Sequence, residues 1–175
     1  MENVVMERGF TPRLDEKDFY AMATESMGCL DLYRADWQES FLAEDGSKLV
    51  CRFTAPDSES IRMMSRDDGS EAKSVWAGSV HDTEDDGFAS VIVERNFDEP
   101  ASMDELQARE EAGANCLEIR RVSFIRSLFS ADMKKMICLY RAPDAESVRA
   151  SQEQVGMPFD RVWACKHYTP ANIFS

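Results

Sequence analysis

The chain has 175 residues and a formal net charge of −13. Nucleic acids and anionic membranes bind basic surfaces, so this acidity argues against both as partners. Hydrophobic residues make up 43% of the chain, and no apolar run approaches the ~18 residues of a membrane span, which indicates a globular protein. The first residues lack the basic and apolar regions of a signal peptide, and the five cysteines form no Cys-x-x-Cys pair. We therefore expect reduced thiols and a cytoplasmic location.

The first half of the chain alternates between strand and helix patterns. The patterns predict a strand at 3–10, a helix at 15–27 ended by Gly28, strands at 30–38 and 48–53, a helix that begins after Asp57 and ends in the turn at 67–70, and a strand at 75–80. Val4, Met6 and Arg8 share one face of the first strand. Asp57 follows a proline and is a natural N-cap.

The second half repeats this order with clearer signals. It predicts a strand at 90–97, a helix at 102–114, strands at 117–125 and 135–140, a helix at 144–155, a strand at 161–167 and a tail at 169–175. Ser102 and Glu105 form a capping box, and Asp144 is the N-cap of the second helix. Gly156 and Pro158 end that helix.

The two halves match each other at an offset of 87 positions. The clearest copies are Lys48–Arg62 and Lys135–Arg149, in which an apolar run precedes Ala-Pro-Asp and a helix start. The match needs no gap from Val4 to His81. Two copies are too few for a solenoid, which needs roughly three or more. We interpret them as a duplicated domain that packs as an internal pseudo-dimer, with a homodimer of the whole chain as a further expectation.

The order β-α-β-β-α-β, present twice, is that of the ferredoxin-like fold. The helix-free face of each sheet also carries apolar residues, so we expect the two sheets to cover each other. The predicted fold class is therefore α+β, with two tandem ferredoxin-like repeats packed as a pseudo-dimeric α+β barrel. The predicted domains are repeat 1 at 1–82, an acidic linker at 83–89, repeat 2 at 90–168 and a C-terminal tail at 169–175.

Three segments of the second repeat resemble a known family. They are residues 93–97, residues 138–149 around Ala142-Pro143-Asp144, and residues 155–162 around Gly156-Met157-Pro158. These segments resemble DUF4242, a family of ferredoxin-like proteins of which some are described as nickel-binding. The resemblance implies a dimeric α+β barrel and makes nickel a candidate cofactor, whereas the residues by themselves indicate no cofactor.

Charged pairs stand on the first strand of each repeat: Glu7-Arg8 and Glu94-Arg95. Adjacent strand residues point to opposite faces, so one member of each pair should point towards the helices and the other into the space between the sheets. Arg34 and Arg121, predicted on the second strands, are candidate partners because a buried charge needs one. The pairs indicate a polar cleft for a small anionic ligand, an acid/base carboxylate, or a buried ion pair that holds the sheets in register.

Other candidate residues lie on the fourth strands. Trp76 and Trp163 occupy matched positions and could line a ligand pocket or form interface core. Cys165 and His167 share one face of the last strand and, together with His81, are candidate ligands of a borderline metal. Two ligands from one strand do not by themselves make a site.

The sequence contains no glycine-rich phosphate loop, nucleophile elbow, HExxH or RNA-recognition motif. The leading hypothesis is a protein that binds a small molecule or a metal ion between its two sheets. One alternative is a cofactor-independent α+β-barrel enzyme, a monooxygenase or an isomerase, that uses Glu7 or Glu94. Another is a structural association module. The second repeat keeps more of the family-like pattern, so we expect it to carry the essential residues.

Overall fold

The computed structural model describes residues 1–67 and 74–173. The chain forms two compact units. The first consists of Met1–Gly78 with Lys166–Ser175, and the second of Ser79–Cys165. Residues 79–82, at the end of the first repeat, thus belong to the second unit, and residues 166–168, at the end of the second repeat, belong to the first unit. The domain limits drawn from the sequence stay a prediction.

The first unit is built on one copy of the repeat. Its elements are β1 (Glu2–Gly9), α1 (Glu16–Leu30), a 3-10 turn (Asp31–Tyr33), β2 (Asp36–Ala43), β3 (Lys48–Ala55), α2 (Ser58–Asp67) and β4 (Ser74–Asp82). The four strands are antiparallel in the order β4-β1-β3-β2. One face of this sheet packs against the helices, with Val4, Met6 and Cys51 in the shared core. This confirms that Val4 and Met6 share one face of β1, and it shows that this face points towards the helices.

The second unit repeats the arrangement. Its elements are β5 (Val91–Asn96), α3 (Met103–Ala112), α4 (Ala114–Ile119), β6 (Ser123–Ser130), β7 (Lys135–Arg141), α5 (Ala145–Val155) and β8 (Arg161–Tyr168), and the chain continues into α6 (Pro170–Ile173). The strand order is β8-β5-β7-β6, again antiparallel. The helix-facing core contains Val93, Cys138 and Tyr140.

Strand register confirms the 87-residue offset. Met6 lies opposite Cys51 in the first unit, and Val93 lies opposite Cys138 in the second. Each second strand also has an irregularity at the same repeat position, at 37–39 and at 124–126. The predicted α+β class with two tandem ferredoxin-like repeats is therefore confirmed, with eight strands and six α-helices in the part of the chain that the structure describes.

The predicted helix starts have the expected caps. Asp57 and Asp144 each accept a hydrogen bond from the backbone N–H three residues later, at 2.8 and 2.7 Å. Ser102 does the same at 3.4 Å. Gly156 ends α5 in the left-handed conformation, with φ 78°. The three predicted N-caps and the predicted end of α5 are thus present in the structure.

Several boundaries differ from the sequence predictions. Gly28 does not end α1, which continues to Leu30, so β2 begins at Asp36 rather than at residue 30. In the second unit, residues 117–119 are helical and β6 begins at Ser123. The predicted tail contains the short helix α6. The predicted turn at 67–70 lies mostly outside the described residues.

Within the described residues, every helix is too short or too polar to serve as a membrane span. All five cysteines are free, and Cys51 and Cys138 are buried, as their apolar strands predicted. Residues of the acidic linker make ordered contacts within the second unit. Asp85 pairs with Arg141 through two hydrogen bonds of 2.8 and 2.6 Å, and Thr83 donates to the backbone carbonyl of Ile125.

Candidate ligand site

The glutamates on the first strands each accept a hydrogen bond from a tryptophan. Trp76 Nε1 donates to Glu7 Oε2 at 2.9 Å, and Trp163 Nε1 donates to Glu94 Oε2 at 2.8 Å. Both carboxylates are only 8% exposed. By strand alternation they lie on the face away from the helices of their own unit. The four residues singled out from the sequence thus form two equivalent pairs. Their role in ligand binding stays a prediction.

Arg95 lies on the opposite face, among the helices, and is 1% exposed. Its guanidinium donates to the carbonyl of Pro158 at 2.7 Å, to Gln152 Oε1 at 2.6 Å and to the Tyr140 hydroxyl at 3.3 Å. The Tyr140 hydroxyl in turn donates to Glu110 Oε1 at 2.7 Å. We call the chain from Arg95 through Tyr140 to Glu110 the polar relay. It connects the core of the second unit to a carboxylate on α3.

Tyr140 keeps its proton under ordinary conditions. Burial, above all, raises the pKa of its hydroxyl well above the usual value of about 10. A protonated hydroxyl that accepts from Arg95 donates its single hydrogen to the Glu110 carboxylate. The hydrogen bonds of the polar relay therefore all run from Arg95 towards Glu110, and the bond from Tyr140 holds the Glu110 carboxylate in one orientation.

Arg34 and Arg121 do not lie on the second strands, so their predicted position was wrong. Both are exposed turn residues with positive φ, 55° and 60°, just before β2 and β6. The next residue donates its N–H to the carbonyl five positions earlier, as Ala35 does to Leu30 at 2.9 Å. This is the Schellman type of helix end, whose left-handed residue is usually glycine. Both arginines thus occupy helix ends.

The three candidate metal ligands have separate surroundings. His81 Nε2 lies 2.7 Å from Ser79 Oγ, and the buried His167 Nε2 lies 2.9 Å from Glu39 Oε1. Cys165 is buried near the backbone carbonyl of Ala89. Among the residues described, no group of three or more His, Cys, Asp or Glu side chains could hold a metal ion, and this includes the predicted trio. Each of the three thus has a neighbour of its own, and their role as metal ligands stays a prediction.

A cavity of about 500 Å³ opens on the helix-facing side of the second sheet. Its apolar wall combines α3 with residues of β6, β7 and the loop after α5: Met103, Leu106, Phe124, Met136, Cys138 and Met157. Three methionines in one wall make it deformable, because the thioether side chain has several rotatable bonds and packs well against aromatic rings. Burial raises the pKa of the Cys138 thiol, so this group is a neutral part of the wall.

The polar wall of the cavity comes from the end of β4, the residue after it, and the same helix: His81, Asp82, Thr83, Gln107, Glu110 and Glu111. Asp82 is paired with Arg126, whose Nε lies 2.8 Å from its Oδ1. Glu110 is the carboxylate at the end of the polar relay. The wall is therefore acidic, with one of its carboxylates held from within the core.

The first unit fills the equivalent space with aromatic rings. At the repeat offset, Phe19 and Tyr20 correspond to Leu106 and Gln107, and Tyr168 corresponds to His81. The ring centroids lie 4.5 Å apart for Phe19–Tyr168, 5.8 Å for Tyr20–Tyr168 and 5.9 Å for Phe19–Tyr20. We call these three residues the aromatic plug. The pocket on this side of the first unit measures only about 40 Å³.

Most residues of the cavity were not predicted. His81 was singled out, but as a metal ligand, and Arg95 as a direct ligand contact rather than as the start of a relay. A signal was present in the sequence, because the offset places two large aromatic residues of the first repeat opposite a leucine and a glutamine of the second. That signal becomes interpretable once the helix faces are known.

Comparison with known proteins identifies a family and a fold. Residues 5–77 and 92–164 each match the model of a family described as nickel responsive protein SCO4226-like, and these two segments are again 87 positions apart. No curated protein is significantly similar in sequence to this chain.

Three solved structures share the fold over nearly the whole chain. A mutant chlorite dismutase from Candidatus Nitrospira defluvii superposes with a TM-score of 0.56, at 11% identity, covering 98% of this chain and 91% of that one. A putative chlorite dismutase gives 0.55, at 8% identity, with 98% and 96% covered. A heme-binding protein from Thermus thermophilus gives 0.51, at 8% identity, with 99% and 95% covered. At these identities the likeness concerns the fold alone.

Proposed function

The chain belongs to the SCO4226-like family of nickel responsive proteins, and from this premise we propose that its second repeat binds a small organic ligand in the cavity beside α3. The observation that carries the proposal is the contrast between the repeats. One copy of the same fold closes this space with the aromatic plug, whereas the other leaves about 500 Å³ open.

The size and lining of the cavity support a ligand. Small-molecule sites are typically clefts of roughly 300–1,000 Å³ with a mostly apolar wall and a few polar groups. An empty space of this kind lowers stability, because the atoms that line it lose packing contacts. The first unit contains the residues that would fill it, and the second unit has a smaller or more polar residue at each of the equivalent positions. A bound ligand accounts for the difference.

Nickel does not fit the described residues as the ligand of this site. Nickel and other borderline metals are held by several imidazole, thiolate or carboxylate groups. No cluster of three or more such side chains is found in the described ranges 1–67 and 74–173. The description of the family therefore does not lead to a metal centre here, and the proposed function involves no step at nickel.

Heme does not fit the cavity either. One protein that shares the fold is a heme-binding protein. Heme carries two propionate carboxylates, which need basic or hydrogen-bond-donating partners. Among the described residues that line the cavity are three carboxylates and no lysine or arginine. The charge of the wall thus opposes an anionic cofactor.

We also place the protein in the cytoplasm, in keeping with its five free cysteines. The two alternatives drawn from the sequence, an α+β-barrel enzyme and a structural module, stay predictions. The enzyme would use Glu7 or Glu94, each of which lies on the face of its own sheet away from the helices of that unit.

The proposal is tested by transferring the aromatic plug into the second repeat. The variant His81→Tyr/Leu106→Phe/Gln107→Tyr copies the aromatic plug of the first unit, and Gln154→Tyr, an exposed position on α5, is the matched control. The probe is N-phenyl-1-naphthylamine, an uncharged dye that fluoresces in apolar surroundings. We expect one dye molecule to bind per chain in the wild type and the control, and binding to fall at least about tenfold in the triple variant.

Circular dichroism establishes that the triple variant is folded. Equal dye affinity in the wild type and the folded triple variant would place the dye elsewhere and overturn the proposal. Failure of the wild type to bind the dye would overturn it as well.

A further inference from the structure

We infer that the ligand is an aromatic cation, whose ammonium or amidinium group pairs with Glu110 while its rings pack among the methionines and Phe124. This inference rests on the proposed cavity site and names the class of molecule that the cavity takes. It follows from the charges of the wall, from the polar relay and from the absence of that relay in the first repeat.

The carboxylate of Glu110 has a different kind of partner from that of Asp82. Asp82 has Arg126 as an ion-pair partner. Glu110 has a neutral partner, the buried Tyr140 hydroxyl, which donates to Oε1 at 2.7 Å. In the described part of the chain, Glu110 makes no ion pair, and its Oε2 has no hydrogen-bond partner. A cation in the cavity would supply both the charge and the donor.

The relay holds this carboxylate in place without neutralising it directly. The Arg95 guanidinium directs its hydrogen bonds to Pro158, Gln152 and Tyr140, and only the tyrosine contacts Glu110. Arg95 and Tyr140 are among the most buried side chains of the protein. Their fixed positions pre-orient the carboxylate, which lowers the entropy lost when a ligand binds.

The first repeat lacks the relay as well as the cavity. At the repeat offset, Glu110 corresponds to Ala23 and Tyr140 to Phe53, so neither the carboxylate nor the hydroxyl is present. Only the arginine is kept, as Arg8, and its side chain stacks over the ring of Phe10 at 5.1 Å. The anionic group therefore occurs in the repeat that has an open cavity and is missing from the repeat whose cavity is closed.

The remaining wall suits a flat ring system. Methionine sulfur packs favourably against aromatic rings, and Met103, Met136 and Met157 present three such groups. Phe124 offers a ring face to a cation or to another ring. An aliphatic amine would use Glu110 but leave this surface without aromatic contacts, so an aromatic amine fits both walls.

Three probes that share one ring system test the inference. They are 1-naphthylmethylamine, which is cationic, 1-naphthalenemethanol, which is neutral, and 1-naphthoate, which is anionic. Each displaces the bound dye in a fluorescence competition at low salt. Since a hydrogen bond to a charged group is stronger than one between neutral groups, we expect the amine to bind roughly tenfold or more tightly than the alcohol, and the naphthoate to bind most weakly.

The variant Glu110→Gln tests whether the preference for the amine over the alcohol depends on the Glu110 carboxylate. Glutamine keeps an acceptor for Tyr140 and removes the charge, so the amine should bind about as weakly as the alcohol, whose own affinity stays unchanged. The matched control is Glu105→Gln, an exposed position on the same helix and outside the cavity wall, which should keep the preference.

The outcomes separate this inference from the proposed function. Equal affinity for amine and alcohol in the wild type would overturn the cation while leaving the cavity site intact. A preference that survives in Glu110→Gln would overturn the role of Glu110. Failure of all three probes to displace the dye overturns the inference, and failure of the dye itself to bind overturns the proposed function.

Discussion

Replacing Arg95 by methionine tests the energetic role of the polar relay. The guanidinium is 1% exposed and binds two acceptors that have no other described donor, the Pro158 carbonyl and Gln152 Oε1. A buried polar group left without a partner costs about 1–3 kcal/mol. The loss of two such bonds therefore predicts a fall of about 2–6 kcal/mol in the free energy of unfolding.

Arg8, the equivalent residue of the first repeat, provides the matched variant. It makes no side-chain hydrogen bond within the described residues, and its contact is the cation–π interaction with Phe10. Such contacts contribute about 0.5–1 kcal/mol. Arg8→Met should therefore cost no more than about 1 kcal/mol.

Urea unfolding followed by far-UV circular dichroism measures both effects. With a slope of about 2 kcal/mol per molar urea, Arg95→Met should lower the midpoint by about 1–3 M, and Arg8→Met by no more than about 0.5 M. If the two units unfold separately, the larger shift should belong to the second. Equal shifts for the two variants would refute the assignment of the stability to the hydrogen bonds of Arg95.

Four further substitutions have defined outcomes. Glu94→Gln keeps an acceptor for its tryptophan, so thermal denaturation should show a loss under about 1 kcal/mol with the cavity dye still bound, whereas a loss of about 3–5 kcal/mol would assign Glu94 to a buried ion pair. Gly113→Ala should lower the free energy of unfolding in urea by about 1–3 kcal/mol, because the new methyl group would overlap a valine side chain of α5. Gly28→Ala, which has open space around it in α1, should raise the free energy of unfolding by about 0.5–1 kcal/mol. The hydrogen bonds from Arg141 lower the pKa of the Asp85 carboxyl. The stability that this carboxylate contributes is therefore present above its unfolded pKa of about 3.9 and is lost as the pH falls through its folded pKa. Between about pH 5 and pH 3 the free energy of unfolding should fall more in the wild type than in Asp85→Asn, and parallel curves of unfolding free energy against pH would contradict this.

The fold was predictable because both repeats carry the same pattern of strands and helices. Where the pattern of one repeat was weak, the equivalent residues of the other repeat, 87 positions away, gave a clear indication of the same element. The capping residues Asp57 and Asp144 depend on short-range backbone geometry, which sequence patterns report well. Strand order followed from the β-α-β-β-α-β sequence of elements.

The errors arose where long-range packing overrides local pattern. The apolar run that begins at Leu30 resembles a strand, but Leu30 packs into the helix-facing core as the last residue of α1. Arg34 then takes a left-handed conformation that its side chain does not signal. The open cavity is a property of side-chain packing among several elements, so the sequence alone indicated at most which repeat would carry it.

The aromatic plug also bears on how a protein of this size tolerates an unfilled interior. Large-to-small changes in a core are costly, and most proteins have little stability in reserve. The first unit, in which Phe19, Tyr20 and Tyr168 are stacked, supplies stability that does not depend on any ligand. The second unit can then change its interior residues, as at Leu106 and His81, without bringing the whole chain to the edge of unfolding. A duplicated chain can therefore keep one interior stable while the residues of the other interior change.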